Sequence, residues 1–115
     1  MKTILIVDDD ADIRAVLSEF LEAEGYGTAT AENGRDALSY LHRHPRTSVV
    51  LLDLMMPVMN GYQFIAARQQ DAAVAAIPVV VMTARGAVGA GLGGVTKVLP
   101  KPMDLDDLLA TLQAA

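Results

Sequence analysis

Thr3–Asp10 reads TILIVDDD, an unbroken apolar and β-branched run that ends against three consecutive acids. A half-exposed strand alternates apolar and polar residues, so an uninterrupted run predicts a strand buried on both faces. The three acids at its end repel one another and resist leaving water. Something nearby should therefore want negative charge.

The same pattern recurs down the chain. Val49–Leu52 (VVLL) ends at Asp53, Pro78–Met82 (PVVVM) ends at Thr83, and a short strand expected over Lys97–Leu99 stands before Lys101-Pro102. Gly27–Ala31 is a weaker strand. Between these runs lie helical patterns. Ile13, Val16, Leu17, Phe20 and Leu21 fall at i, i+3, i+4, i+7 and i+8, one face of a helix that Gly25 stops. A shorter pattern through Ala37, Leu38 and Leu41 follows Asn33-Gly34 and closes before Pro45. Tyr62–Gln70 reads as a helix of poor periodicity after the Met56-Pro57 to Asn60-Gly61 turn. Leu105, Leu108, Leu109 and Leu112 share a face of the last helix, whose first turn carries Asp104, Asp106 and Asp107, acids suited to the positive end of its dipole.

Five β/α pairs of this kind predict an α/β fold: right-handed βαβ units building a five-stranded parallel sheet, doubly wound with helices on both faces. At 115 residues the chain is expected to be one domain over 1–115, with no effector domain and one site. Net charge of −5 argues against a phosphate-tracking surface, so no direct nucleic-acid binding is expected. The absence of cysteine removes disulfides, thiolate metal sites and thiol catalysis and fits a reducing compartment, with the cytoplasm as the default. The apolar start is too short for a signal peptide, and no run reaches membrane-spanning length.

In open sheets, ligands bind outside the carboxyl ends of the strands. Asp8–Asp10, Asp53, Thr83 and Lys101 all stand there. Clustered carboxylates without histidine or cysteine favour a hard, oxygen-loving cation such as Mg²⁺. An ammonium and a hydroxyl aimed at the same place suit a phosphoryl group. Asp10, immediately before the first helix, is better placed to cap it than to bind metal. His42 and His44 flank Arg43 at a helix end and are assigned no chemistry. The six methionines read as filler, although Met55, Met56 and Met59 border the site.

ILIVDDD, the aspartate within LLDLMMPVMNG, Thr83-Ala84 after PVVVM, and Lys101-Pro102 together resemble the receiver domain of two-component response regulators, across essentially the whole chain. The resemblance implies a flavodoxin-like strand order of 2-1-3-4-5. It implies that Asp53 is the phosphoacceptor, taking a phosphoryl group from a sensor histidine kinase or phosphotransfer protein and assisting its own phosphorylation and dephosphorylation without being an enzyme in the ordinary sense. Mg²⁺ (or Mn²⁺) would be held by Asp9 and Asp53, by Asp8 through water, and by the backbone carbonyl of Met55. Lys101 would pair with the phosphoryl group, Thr83 would move to hydrogen-bond it, and Ala84 would leave it room. A cis Lys101–Pro102 bond and a left-handed Gly61 in the turn after the third strand are expected in the same way. Output would pass through protein–protein contacts to a downstream target.

Two features depart from the family pattern. Between Arg85 and Thr96 stand five glycines where the family builds its fourth helix, so that helix is expected to be short or irregular. Three residues before the lysine, the usual rotating aromatic is replaced by Val98. Phosphorylation would then act by ordering or releasing the glycine-rich segment, an effect visible in amide exchange. A non-switching pseudo-receiver is the alternative. A metal-dependent phosphohydrolase is disfavoured, because Met55 stands where such enzymes carry a second aspartate.

Overall fold

The computed structural model describes residues 2–83, 95–100 and 104–114. Its elements run β1 (Thr3–Val7), α1 (Ala11–Ala23), β2 (Gly27–Ala31), α2 (Gly34–Arg43), β3 (Val49–Asp53), α3 (Gly61–Gln69), β4 (Val79–Thr83), β5 (Val95–Pro100) and α4 (Leu105–Ala114). All strand pairs are parallel, and the sheet order is β2-β1-β3-β4-β5, as expected. The chain winds from β1 outward to β2, then returns past β1 to β3. The reversal opens a crevice at the carboxyl ends of β1 and β3.

The apolar runs are explained by two cores, one on each face. Leu5, Val7, Val50, Leu52, Val79 and Val81 pack with Ala37 and Leu41 of α2 and with Phe64 and Ile65 of α3. Ile4, Ile6, Val49, Leu51, Val80 and Met82 pack with Leu17 and Leu21 of α1 and with Leu108 and Leu112 of α4. Alternate residues of each strand thus enter opposite cores, and no strand position in β3 or β4 is left for a polar side chain facing water. Each fully buried Leu, Ile or Val contributes about 1.5–3 kcal/mol.

Several boundaries differ from the sequence expectation. β4 starts at Val79 because Pro78 has no N–H to give the ladder, although its carbonyl still accepts from Val50 at 2.9 Å. β5 is longer than expected, and α3 begins at Gly61. Val16 is 60% exposed, so the buried stripe of α1 is narrower than its apolar spacing suggests. In α3 the weak periodicity has a cause: Arg68 occupies a core position, its Nε and Nη2 donating to the Ile77 carbonyl at 3.0 and 2.6 Å. Burial lowers its pKa from the ordinary guanidinium value.

The helix expected to be short or irregular between β4 and β5, with Ala84 and the glycine-rich segment, lies outside the described residues. So do Lys101, Pro102 and the expected cis bond. Val98 is half-buried against the α2/α3 core, where a valine has no ring to swing. Among the described residues, no helix is long and apolar enough to cross a membrane.

Candidate functional site

Register places the acids. Val7 pairs with Leu52 across β1 and β3, so the next residues, Asp8 and Asp53, emerge side by side. Asp53 in turn pairs with Met82, and Thr83 ends the neighbouring strand, buried, in register with Pro100 of β5. Asp8, Asp9 and Asp53 each offer a carboxylate oxygen within 4.8 Å of the others; Asp8 and Asp53 are buried and Asp9 is exposed.

Local hydrogen bonds fix the β1 end. The Asp8 N–H donates to the Ala31 carbonyl at 3.1 Å, its carboxylate accepts from the Asp10 N–H at 2.9 Å, and its carbonyl accepts from Arg14 Nη1 at 2.7 Å. Asp10 has the role expected of it: its side chain accepts from the N–H groups of Asp12 and Ile13 and caps α1. Asp10 is thereby committed to the helix, leaving Asp8, Asp9 and Asp53 as the acidic cluster.

The β3 end is built differently. Asp53 Oδ1 accepts from the Met55 N–H at 3.3 Å, and the Met55 side chain is 74% exposed, so Met55 meets the site through its backbone. The loop over 54–60 closes where the Gly61 N–H donates to the Leu54 carbonyl at 3.0 Å. It reverses at Val58, where the Met59 N–H donates to the Pro57 carbonyl at 2.8 Å. With Val58 at φ 67°, this is a γ-turn of the rare left-handed kind. For a β-branched residue such a backbone costs about 1–3 kcal/mol.

The expectation for Gly61 is corrected here. Gly61 lacks the positive φ predicted for it; among non-glycine residues described, Val58 has it instead. Gly61 is required for space, since a Cβ there would lie 2.7 Å from Leu54 Cα and 2.8 Å from the Asp53 carbonyl oxygen. Gly34 is similar: its N–H donates to the Met59 carbonyl at 2.8 Å, and a Cβ would meet that same oxygen at 2.8 Å. The loop is therefore gripped by the starts of α2 and α3. Asn60 finishes it with a capping box, accepting from the Gln63 N–H while the Gln63 side chain accepts from the Asn60 N–H, both at 2.9 Å.

The donor set is entirely oxygen, with two of its three carboxylates withdrawn from water. Uncompensated, such a cluster is unfavourable. It is compatible with a hard divalent cation and unsuited to a soft one. The structure brings Asp8, Asp9, Asp53 and the Met55 backbone together and places Thr83 at the end of the next strand, while Lys101 lies outside the described residues. Sequence reasoning missed Val58, Gly34 and Arg14. Only a turn signal, Pro57 with Asn60-Gly61, marked the loop.

Residues 4–113 match the family model of the response regulator receiver domain. The chain belongs to that family. Receiver domains act in two-component signalling, interact with histidine kinases or phosphotransfer proteins, and generally bind Mg²⁺, with which this carboxylate cluster is compatible. Protein PilH of Pseudomonas aeruginosa is 37% identical over 118 residues, covering 99% of this chain and 97% of PilH. The transcriptional regulatory protein CpxR homolog of Haemophilus influenzae is 38% identical over 119 residues, covering 99% of this chain and 50% of that protein. This receiver thus spans about half the length of the CpxR homolog. Chemotaxis protein CheY4 of Vibrio cholerae has the same fold, with a TM-score of 0.89 at 34% identity, covering 99% of this chain and 98% of the CheY4 chain.

Proposed function

We propose that this receiver accepts a phosphoryl group on Asp53 from a phosphohistidine of a sensor kinase or phosphotransfer protein and thereby switches its protein–protein contacts. The observation that carries the reading is the grouping of the Asp8, Asp9 and Asp53 carboxylates within 4.8 Å around a buried Asp53. A carboxylate attacks phosphorus once the repulsion between it and the phosphoryl oxygens is relieved.

Asp8, Asp9, Asp53 and the Met55 carbonyl would hold Mg²⁺. When bound, the cation neutralises charge on the carboxylates and on the incoming phosphoryl oxygens. The chain's own residues do the rest. Met55 N–H donates to the Asp53 carboxylate and helps to orient it, and a carboxylate oxygen of Asp53 forms the new O–P bond. The P–N bond of the donor breaks, its electron pair returning to the imidazole nitrogen, which takes up a proton. Lys101 balances the phosphoryl charge, and the Thr83 O–H donates a hydrogen bond to a phosphoryl oxygen. Hydrolysis of the acyl phosphate at the same site would reset the switch, so the domain assists both steps without turning over a small substrate. The acidic, cysteine-free chain fits work in the cytoplasm on protein partners rather than nucleic acid.

Incubation with acetyl phosphate and Mg²⁺, followed by intact-protein mass measurement, tests the reading. One base-labile, acid-stable phosphoryl group should appear, and none in Asp53→Asn. Labelling undiminished in D53N would overturn Asp53 as acceptor; no labelling of the wild-type chain would leave the non-switching alternative.

A further inference from the structure

The strained turn at Val58 is not explained by the packing of its own side chain. Its side chain is 67% exposed, so it fills no core position, and a glycine would take φ 67° without the penalty a β-branched residue carries. Yet the turn is held from both sides. Gly34 N–H grips the Met59 carbonyl after it, Gly61 N–H grips the Leu54 carbonyl before it, and the glycine approaches leave no room for a Cβ at either place. A sparsely populated backbone conformation that persists because its surroundings over-determine it is a mark of pre-organisation.

What the turn organises is the peptide of Met55. The chain leaves β3 at Asp53, must present the Met55 N–H to the Asp53 carboxylate, and must then return to Gly61 within six residues. Pro57 has a fixed φ, and Val58 is stiff at its side chain, so the reversal has few alternatives that keep both grips. A glycine at 58 would keep the grips and add neighbouring conformers, some with the Met55 amide off Asp53. Ordering those conformers would then be charged to cation binding.

We infer that Val58 is a positioning residue: its strained γ-turn pre-sets the Met55 peptide against Asp53 and so raises the affinity of the acidic cluster for a divalent cation. The inference rests on the cation reading above and adds to it a residue that touches neither cation nor phosphoryl group. It separates stability from binding, because relieving the strain should strengthen the fold and weaken the site together.

The test is a Mg²⁺ titration followed by the amide resonances of Asp9, Asp53 and Met55, alongside thermal unfolding in the cation-free state. Val58→Gly should raise Tm by about 2–5 °C, weaken Mg²⁺ binding about three- to tenfold, and speed amide exchange at Met55 and Met59. Val58→Ile, equally branched, should retain wild-type affinity. Unchanged affinity in V58G, a fall of Tm and affinity together, or a V58I as weak as V58G would each overturn the inference. Wild-type amides that ignore Mg²⁺ altogether would overturn the cation reading and the inference with it, so the two failures are distinguishable.

Discussion

The exits of β1 and β3 begin from the same pattern, an apolar strand running into aspartate, and reach a side-chain-capped helix by opposite means. After β1, three residues suffice: the Asp8 carboxylate takes the Asp10 N–H, and that of Asp10 takes those of Asp12 and Ile13, side-chain acceptor contacts within three positions along the chain, while the Asp8 backbone is held by Ala31 and Arg14. After β3 the loop needs a left-handed Val58 and holds its shape through Gly34 of α2 and the close seat of Gly61. The helix cap of the first exit is a local device that can be altered alone. The second is tied to two helices, so a change anywhere in it reaches Asp53.

The harshest way to break this contrast is Gly61→Ala. The new methyl would meet backbone at 2.7–2.8 Å on two sides, with no flexible side-chain end that alone could yield. We expect a loss of at least about 2 kcal/mol in urea unfolding, with a shifted Asp53 amide resonance; a neutral G61A with an unmoved Asp53 would refute the close-approach account. Paired cap deletions are gentler. Asp10→Ala and Asn60→Ala should each cost about 1 kcal/mol, but only N60A should speed amide exchange at Met55 and Met59. Equal exchange in the two variants would erase the distinction between the exits.

The sheet was legible because its strands are buried on both faces, and continuous runs such as VVLL and VVV admit few other readings. The acids were legible for a related reason: charge at the end of an apolar strand is conspicuous, and parallel topology brings such ends together. The β3 loop was not, since the sign of φ at Val58 leaves no trace in hydrophobic spacing. Gly61 looked like a turn glycine, and its actual constraint, the absence of room beside Leu54, exists only once α3 has docked. Arg68 misled in another way. A charge at a core position spoils the periodicity of α3, and its justification, the Ile77 carbonyl, lies nine residues on.

The far end of α3 extends the comparison to a turn that solvent can reach. There His42, in the last turn of α2, is hydrogen-bonded to Asp71, whose carboxylate also accepts from the Ala73 N–H at 3.0 Å. The His42 hydrogen bond, then the Ala73 amide, hold the Asp71 carboxyl below the usual carboxylate range. A carboxyl depressed by folding contributes stability above its unfolded pKa and loses that contribution as pH falls through the folded one. Asp71→Asn should therefore lower stability slightly at neutral pH and make the acid limb of a urea-midpoint profile shallower, below about pH 4. The effect should be the smallest of those described, because the pair is exposed and screened. It should also leave the Asp53 amide untouched, since the turn it secures lies beyond α3 rather than at the gripped loop; an Asp53 resonance that moved in D71N would mean that α3 transmits changes from its exit to its entry.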